Sequence, residues 1–256
     1  MQHGDDYLSY SDDLVKAMTK STDNVDTMIR LVSDFGDTAE NAIVKSGDRA
    51  VDIYERFGEN GLKAVANYGD DAVEVIYDYG SEAITSLNKG IDPASVKKIY
   101  NWDYRPNDET YLKYKSIFDN EVYYNQRNGA INWPDNDGFV VNTIKNKRLS
   151  EGTYFKRYGG NSGEFLGNTV DSFESRSLAP HSDPAINDVE IHYYELIEDT
   201  EFTTGKVAPW FGQSGGADQF VKYKIDGTKY TIQELEDEGI LIDITNLVER
   251  GEISID

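Results

Sequence analysis

Residues with catalytic potential are concentrated in the segment 208–220, which reads APWFGQSGGADQF. Its two glutamines, Gln213 and Gln219, each offer a donor and an acceptor that work without a change of protonation. Three glycines lie in the same segment: Gly212, Gly215 and Gly216. Glycine permits positive φ angles and a close approach of the backbone to a ligand. The segment therefore suits a site that binds an amide or a sugar hydroxyl, whereas a hairpin loop anchored by Trp210 and Phe211 explains the same residues without a ligand.

Three further motifs precede this segment, at residues 132–139 (NWPDNDGF), 152–159 (GTYFKRYG) and 175–178 (SRSL). In this order the four motifs resemble the tuberculosis-necrotizing-toxin (TNT) family of NAD glycohydrolases. The pattern of that family runs from Trp-Pro-x-Asn-Asp-Gly-Phe through an Arg-aromatic-Gly turn and an Arg-Ser/Ala-Leu segment to a Gly-Gly-x-x-Gln-aromatic loop. Four ordered motifs are far more specific than any one of them. The resemblance covers roughly the last three fifths of the chain, and the first part of the chain lies outside it.

The resemblance implies hydrolysis of the bond between nicotinamide and ribose, with NAD+ as the substrate and no cofactor or metal. Such a reaction passes through a transition state with oxocarbenium character and needs mainly positioning and electrostatic stabilisation. Gln219 matches the glutamine of the family that acts at the reacting ribose, and Arg157 and Arg176 match its two arginines, which would hold phosphate or ribose. His192 corresponds more loosely to a family histidine, and a satisfied strand histidine is an equal explanation.

The resemblance also implies a set of substrate-binding residues, which comprises Tyr158, Phe165, Trp210, Phe211, Gly212, Gly215 and Gly216. Gln213 is interpreted as a residue that stabilises the loop. Two departures from the family pattern bear on the site: Lys156 stands where the family commonly has Asp, and Phe165-Leu166-Gly167-Asn168 replaces an aromatic-Leu-Ser-Pro run. The second change retains an aromatic ring at residue 165 but not a phenolic hydroxyl.

The composition excludes several other classes of function. The chain of 256 residues has a formal net charge of −22, with 47 acidic against 25 basic residues, which argues against a nucleic-acid partner. It contains no cysteine, so disulfides and thiolate metal sites are excluded, and only three histidines, His3, His181 and His192, which makes a multi-histidine zinc site an unlikely interpretation. The acidic surface favours a basic partner surface. The resemblance implies that this partner is a cognate immunity protein, and we expect the chain itself to be a monomer.

No run of eighteen or more apolar residues and no conventional signal sequence is present. We therefore expect no membrane insertion. The resemblance implies export by a specialised system without a cleavable signal in this chain and action in the cytoplasm of a target cell.

The first part of the chain carries an internal repeat, because glycine recurs every eleven residues: Gly36, Gly47, Gly58, Gly69 and Gly80. The unit reads Gly-Asp-x-Ala-Val-x-x-Ile-x-x-aromatic. Since glycine destabilises a helix interior by about 1 kcal/mol, we favour short helices that each end at a glycine and stack as a small solenoid. A single long helix with an eleven-residue period is the alternative. The array has no titratable cluster and is interpreted as a spacer or packing scaffold.

The opening residues 1–6 (MQHGDD) look like a repeat unit cut within the array, which predicts that the chain is the C-terminal fragment of a longer protein. A repeat array ahead of a toxin-like domain resembles polymorphic bacterial toxins. The repeat phase is lost around residues 88–93, where Gly90 and Pro93 interrupt the chain. We therefore predict two regions, a helical repeat region at 1–92 and a TNT-like domain at 93–256.

The second region has the pattern of an α+β domain with a mainly antiparallel sheet. A helix is predicted at 94–102, and strands are predicted at 139–141, 152–158, 190–197, 205–211, 219–225 and 229–232. No strand followed by Gly-x-Gly-x-x-Gly and a helix is present, so a Rossmann dinucleotide site is excluded. The resemblance implies a small fold like that of ADP-ribosyltransferases.

These observations lead to the hypothesis of a secreted bacterial toxin effector that hydrolyses NAD+ to nicotinamide and ADP-ribose, with NADP+ as a further candidate substrate. It would thereby deplete the NAD pool of its target in competition between bacteria. One alternative is an ADP-ribosyltransferase toxin that modifies a protein. A second alternative, of a different class, is a non-catalytic interaction module.

Overall fold

The computed structural model describes residues 10–21 and 23–255, and these divide into two compact units. The first unit extends to Asp108 and includes Arg127–Gly129, and the second consists of Glu109–Gln126 and the chain from Ala130 onward. This division lies later in the chain than residue 92, where loss of the repeat phase predicts the boundary. The predicted cut repeat unit at residues 1–6 lies outside the described residues.

The first unit is helical. Its helices are α1 (Asp12–Met18), α2 (Val25–Phe35), α3 (Asp37–Ser46), α4 (Asp48–Tyr68), α5 (Asp70–Asn88) and α6 (Pro93–Tyr100). Consecutive helices pack against each other from α2 to α6. The apolar columns of the repeat form this packing: Val51, Leu62 and Val73, for example, are all buried.

The recurring glycines determine where these helices end. All five adopt positive φ angles, with 51° at Gly36, 54° at Gly47, 66° at Gly58, 63° at Gly69 and 67° at Gly80. Gly58 and Gly80 lie inside α4 and α5, where they join two helical segments across a kink. A residue with a Cβ rarely adopts this conformation, whereas glycine does so readily. The chain therefore forms a series of short helices, as the glycine spacing favours, instead of one continuous helix.

The second unit is built on a seven-stranded antiparallel sheet, and the α+β fold class predicted from the sequence is confirmed. Its strands are β1 (Lys145–Leu149), β2 (Tyr154–Tyr158), β3 (Leu166–Gly167), β4 (Ile191–Leu196), β5 (Thr200–Lys206), β6 (Asp218–Val221) and β7 (Leu241–Asp243). The order across the sheet is β1-β5-β6-β3-β2-β4-β7. Short helices accompany it: α7 (Asp108–Lys113), α8 (Lys115–Phe118), α9 (Ile232–Asp237) and α10 (Thr245–Glu249).

One face of this sheet carries an aromatic core. The ring of Phe155 lies 5.8 Å from that of Phe202 and 5.4 Å from that of Phe220, and all three side chains are buried. Each buried aromatic side chain contributes about 1.5–3 kcal/mol through removal of apolar surface from water. Helix α9 covers the core with Ile232 and Leu235. Because successive side chains of a strand alternate between faces, the neighbours of Phe155 in β2 are directed to the opposite face.

Several strand boundaries differ from the sequence prediction. The strand predicted at 205–211 is observed at Thr200–Lys206, since its partner across the sheet is β1. Residues 139–141 form an isolated bridge from Phe139 to Val207 and a 3-10 turn at Val141–Thr143 instead of a strand. The strand predicted at 229–232 is wrong, because only Lys229 forms a bridge and a Thr231 capping box begins α9 at Ile232.

Candidate active site

A cavity of about 1010 Å³ lies in the second unit and is lined by residues from all four sequence motifs. Among the predicted site residues, those that line it are Arg157, Tyr158, Phe165, Arg176, Trp210, Phe211 and Gln219. Its volume lies at the upper end of the range for small-molecule sites, roughly 300–1,000 Å³. The fold therefore brings into one place residues that are far apart in the sequence.

The register of three neighbouring strands places Gln219, which lines the cavity, in one row with two residues that lie outside the cavity lining. Lys156 of β2 faces Gly167 of β3, and Gly167 in turn faces Gln219 of β6. Residues in register across an antiparallel sheet share a face. This is the face opposite the buried ring of Phe155, so the aromatic core supports the sheet from behind the site.

Arg176 is buried directly above this row, with only 8% of its surface exposed. Its Nη1 donates to the carbonyl oxygen of Lys156 at 2.9 Å, and its guanidinium carbon lies 5.4 Å from the ring centre of Tyr158. A Cβ built on Gly167 would lie 2.6 Å from the guanidinium carbon, so the missing side chain of Gly167 leaves the space that the arginine fills. Burial lowers the pKa of Arg176 to about 10.

Arg157 is held by the loop that follows β2. Its Nε donates to the carbonyl oxygen of Gly160 at 2.9 Å, and its Nη1 donates to that of Phe165 at 2.8 Å. Burial also lowers the pKa of Arg157. Within residues 10–21 and 23–255, neither Arg157 nor Arg176 forms an ion pair with a carboxylate. Buried cations without an anionic partner are unfavourable, so these two groups are well suited to bind an anion that enters the cavity.

The two glutamines of the fourth motif have different surroundings. Gln219 is half-buried in the cavity wall, and its Nε2 donates to the carbonyl oxygen of Asp137 at 2.9 Å. Gln213 donates from Nε2 to the carbonyl oxygen of Leu178 at 2.7 Å, and it does not line the cavity. Its position accords with the interpretation that Gln213 stabilises the loop.

Three glycines predicted to bind substrate lie outside the cavity lining: Gly212, Gly215 and Gly216. Their φ angles are all positive, at 69°, 62° and 92°. A Cβ on Gly215 would lie 2.6 Å from the carbonyl oxygen of Val207, and the amide of Gly216 donates to that oxygen at 2.8 Å. The close approach that Gly215 permits is therefore to the backbone of the protein itself, whereas a Cβ on Gly212 would lie 2.9 Å from the Ile117 side chain and one on Gly216 would meet nothing within 4 Å.

His192 also lies outside the cavity lining, although it faces Arg157 across the β2–β4 register. Its ring is held between two carboxylates, with Nδ1 3.0 Å from Asp243 and Nε2 3.3 Å from Glu190. Glu190 itself lines the cavity. His192 can therefore act on the cavity only through Glu190 or another neighbour.

Other residues of the cavity were not predicted from the sequence. His181 lines it, and the surrounding protein lowers the pKa of its imidazole by desolvation. Trp133 lines it with 64% of its surface exposed, and its ring lies 5.9 Å from that of Phe211. Trp133 belongs to the first motif, so its type and position gave a signal, whereas nothing near His181 in the sequence distinguishes it.

Asp137 and Lys229 form a further unpredicted pair in the cavity wall, with Lys229 Nζ 2.6 Å from Asp137 Oδ1. The hydroxyl of Tyr223 donates to the other carboxylate oxygen at 2.8 Å. Burial would raise the pKa of Asp137, but the hydrogen bonds from Lys229 and Tyr223 outweigh it and hold this pKa below its ordinary value. The carboxylate is therefore ionised and engaged at neutral pH.

Unfavourable backbone conformations coincide with the motifs. Among the described residues, the non-glycine residues with positive φ are Asn136 (55°), Asp137 (56°), Ser177 (46°) and Phe211 (50°). The last three line the cavity. Such conformations are unfavourable by about 1–3 kcal/mol each and concentrate where a site requires them. Their coincidence here supports the cavity as the functional site.

Comparisons with known proteins find similarity in the second unit. Residues 148–244 match the family model described as Tuberculosis necrotizing toxin, and over this stretch the resemblance seen in the motifs is confirmed. A curated relative is 30% identical over 104 residues: the conidial surface nicotinamide adenine dinucleotide glycohydrolase nadA of Aspergillus fumigatus. That alignment covers 38% of this chain and 44% of the relative, so the chain spans less than half the length of this relative.

Solved structures show weaker similarity. Tuberculosis necrotizing toxin in complex with its immunity factor IFT is 20% identical, with a TM-score of 0.43, over 61% of this chain and 85% of the other. Tse6 in complex with Tsi6 is 19% identical, with a TM-score of 0.27, over 36% of this chain and 76% of the other. Rhs1-CT in complex with its cognate immunity protein RhsI1 is 23% identical, with a TM-score of 0.26, over 35% of this chain and 76% of the other.

Neither a metal-binding cluster nor a helix able to span a membrane is found in the described part of the chain. No group of three or more His, Cys, Asp or Glu side chains is arranged there to hold a metal ion. Nor does any described helix combine the length and apolar character needed to cross a bilayer.

Proposed function

We propose that the second unit is an NAD+ glycohydrolase that releases nicotinamide and ADP-ribose. The observation that carries the proposal is the convergence in one cavity of Gln219 with Arg157 and Arg176, two guanidinium groups without an acidic partner in the described chain. A dinucleotide supplies the anion that these cations lack, because its pyrophosphate bears two negative charges. Paired guanidinium groups suit it, since each can donate two parallel hydrogen bonds.

In this proposal Gln219 acts at the ribose attached to nicotinamide. One N–H of its Nε2 donates to the carbonyl oxygen of Asp137, and Oε1 is the acceptor that the side chain offers to a ribose hydroxyl. The nicotinamide of NAD+ is a cationic and good leaving group, so little acid catalysis is needed. Orientation of the ribose and stabilisation of the developing oxocarbenium ion then provide most of the acceleration.

The aromatic side chains of the cavity complete the proposed binding site. Trp133, Tyr158 and Trp210 line it. Their aromatic rings suit stacking against the flat bases of a dinucleotide. The glycines of the fourth motif would act indirectly, by holding the turn that carries Trp210 and Phe211. His192 would act only as a residue that supports Glu190.

The named activity of the curated relative supports the same reaction. The Aspergillus fumigatus protein is a nicotinamide adenine dinucleotide glycohydrolase, and its 30% identity to this chain extends over 104 residues. By the family resemblance, we further propose that the chain is an exported bacterial toxin effector, that it acts in the cytoplasm of its target and that a cognate immunity protein binds it. Cleavage of NADP+ in addition to NAD+ belongs to the same proposal.

An assay of the purified protein with NAD+ and NADP+, with products resolved by chromatography, tests the proposal. We expect nicotinamide and ADP-ribose in equal amounts, without any added protein. Nicotinamide release that requires a protein acceptor would indicate an ADP-ribosyltransferase instead. If neither NAD+ nor NADP+ releases nicotinamide, the second unit is better explained as a non-catalytic interaction module.

A further inference from the structure

The short hairpin after β6 clamps the turn that contains Asp137. Tyr223 and Lys229 form an antiparallel bridge at the base of this hairpin. Both side chains bind the Asp137 carboxylate, Lys229 at 2.6 Å on Oδ1 and Tyr223 at 2.8 Å on Oδ2. The carboxylate therefore has a charge-assisted partner on each of its two oxygens, which is a strong and directional arrangement.

Lys229 also links this turn to a third part of the cavity wall. Its Nζ lies 3.4 Å from Glu164 and 5.1 Å from the ring centre of Phe165. Phe165 in turn accepts a hydrogen bond from Arg157 through its carbonyl oxygen. One lysine thus contacts both the turn that holds Gln219 and the segment that holds Arg157.

The same turn determines how Gln219 is oriented. Its carboxamide contacts the carbonyl oxygen of Asp137, and a carbonyl can only accept a hydrogen bond. The NH₂ end of Gln219 must therefore face Asp137, so the orientation of this amide follows from chemistry. The opposite end, Oε1, is consequently the end available to the cavity.

The carbonyl of Asp137 belongs to a turn with an unusual backbone conformation. Asn136 and Asp137 have φ angles of 55° and 56°, which residues with a side chain rarely adopt. A conformation of this kind persists only where the surroundings hold it. The two hydrogen bonds on the Asp137 carboxylate hold this turn through a side chain, in addition to the backbone hydrogen bonds from Gly138 to Asp135 and from Phe139 to Asn136.

We propose that Lys229, with Tyr223, is a positioning residue that holds the Asp137 turn and thereby directs Oε1 of Gln219 into the cavity. This deepens the proposed function and rests on it for its catalytic consequence. In the protein alone, the consequence is an ordered Gln219 side chain. In the reaction, the consequence is a fixed acceptor for a ribose hydroxyl.

Lys229→Met tests the proposal, since it removes the charge and keeps much of the apolar stem. The first readout is the pair of side-chain amide signals of Gln219 in the nitrogen–proton NMR spectrum of the full chain, assigned by their loss in Gln219→Leu. We expect these signals to shift and their protons to exchange faster with water in Lys229→Met. The second readout is NAD+ cleavage, where we expect kcat to fall by ~10-fold to 100-fold while KM changes by less than about threefold.

Lys224→Met is the matched control. Lys224 belongs to the same hairpin and pairs with a carboxylate, Glu234, at 2.5 Å, but it does not line the cavity. We expect it to leave both readouts unchanged, and we expect Lys229→Arg to restore most of kcat because arginine retains a charged donor for Asp137. Should Lys229→Met fail to fold, Tyr223→Phe provides the same two readouts with a smaller change.

Three results would overturn the inference. Unchanged Gln219 amide signals in Lys229→Met would show that the lysine does not position this side chain. An equal effect of Lys224→Met would indicate a general loss of stability. A rise in KM with unchanged kcat would make Lys229 a direct substrate ligand. If the unaltered protein cleaves no dinucleotide, the proposed function fails, whereas the amide signals still decide whether Lys229 positions Gln219.

Discussion

Arg157 occupies the space that a side chain on Gly163 would fill. A Cβ built on Gly163 would lie 1.7 Å from Nη2 of Arg157 and 2.4 Å from its guanidinium carbon. The guanidinium therefore lies flat against the loop backbone, where it donates to the carbonyl oxygens of Gly160 and Phe165. The position of this cation depends on the absence of one methyl group.

Gly163→Ala should displace the Arg157 guanidinium and weaken dinucleotide cleavage. Misplacement of a positioning group by about 1 Å lowers a rate by ~100-fold in unfavourable cases, so we expect a fall in kcat/KM of between ~10-fold and 100-fold. Gly160→Ala is the control, because its Cβ would meet nothing closer than Glu190 at 3.9 Å. Steady-state cleavage of NAD+ by both variants checks the prediction, and equal rates would contradict it.

Gln219→Ala should remove most NAD+ cleavage and leave the fold intact. Loss of one preorganised polar group at a transition state lowers kcat by ~10²-fold to 10³-fold. The measurement is nicotinamide release, with circular dichroism as a check on folding. If Gln213→Ala removed most NAD+ cleavage and Gln219→Ala left the rate unchanged, the roles assigned to the two glutamines would be reversed.

Arg157→Lys should be far from conservative. Arg157 donates hydrogen bonds to two carbonyl oxygens and keeps further N–H groups for a phosphate. Lysine has a single ammonium group, which cannot make all of these directed bonds at once. We expect weaker NAD+ binding, measured by calorimetry on a variant that lacks Gln219, and slower turnover in the otherwise unaltered chain. Near-normal values of both would assign Arg157 to an ordinary structural role.

Asp183 should make the second unit sensitive to acid. Burial would raise the pKa of this carboxyl, but hydrogen bonds from Lys113, the Ala185 amide and Tyr114 hold the pKa below its ordinary value of 3.8. A lowered pKa contributes stability above the ordinary value, and that contribution is lost as the pH falls through the folded-state pKa. Asp183→Asn should therefore lower the free energy of unfolding by about 1–3 kcal/mol near pH 7 and by less below about pH 4.

Urea unfolding of this variant at several pH values checks the prediction. Glu252→Gln is a control, since it alters an exposed ion pair with Arg250. Exposed pairs of this kind contribute only about 0–1 kcal/mol. A difference between Asp183→Asn and the unaltered protein that stayed constant from pH 7 to below pH 4 would contradict the assignment.

The repeat region should be dispensable for chemistry. All residues that line the cavity belong to the second unit, and the array in the first unit offers packing columns without a convergent polar site. We expect fragments that begin at residue 92 or at residue 109 to retain NAD+ cleavage and residues 1–90 alone to have none. Initial rates are compared at a temperature where circular dichroism shows each fragment folded. A folded but inactive fragment would show that the array contributes to the site.

The sheet was predictable where its strands alternate or carry aromatic residues. Strand β2 at Tyr154–Tyr158 and strand β4 at Ile191–Leu196 fall within predicted segments because their buried positions are apolar. Strand β1 was missed, since its sequence is KNKRL and only Leu149 is buried. At the edge of a sheet, pairing with one neighbour suffices and charged side chains are common, so no hydrophobic pattern is present to detect.

Residues of the candidate site could be predicted from the sequence where they belong to one of the four motifs. Gln219 and Arg157 were identified from the ordered motifs, and the structure places both in the cavity wall. Lys229 could not be identified, because its role depends on a contact with Asp137, 92 residues earlier in the chain. A hairpin forms that contact, and its geometry is determined by tertiary pairing that local propensity does not contain.

The positive-φ glycines of the first unit also bear on how the length of this array can change. Between Gly36 and Gly80 each helical segment begins and ends at a glycine, so the helical phase is set anew in every unit. Removal of eleven consecutive residues joins equivalent positions and leaves the buried columns aligned, whereas removal of any other small number turns apolar side chains toward water. Since neighbouring units contact mainly each other, stability changes by a similar step with each unit. The length of the array can therefore change only by whole repeats of eleven residues if its packing is to be kept.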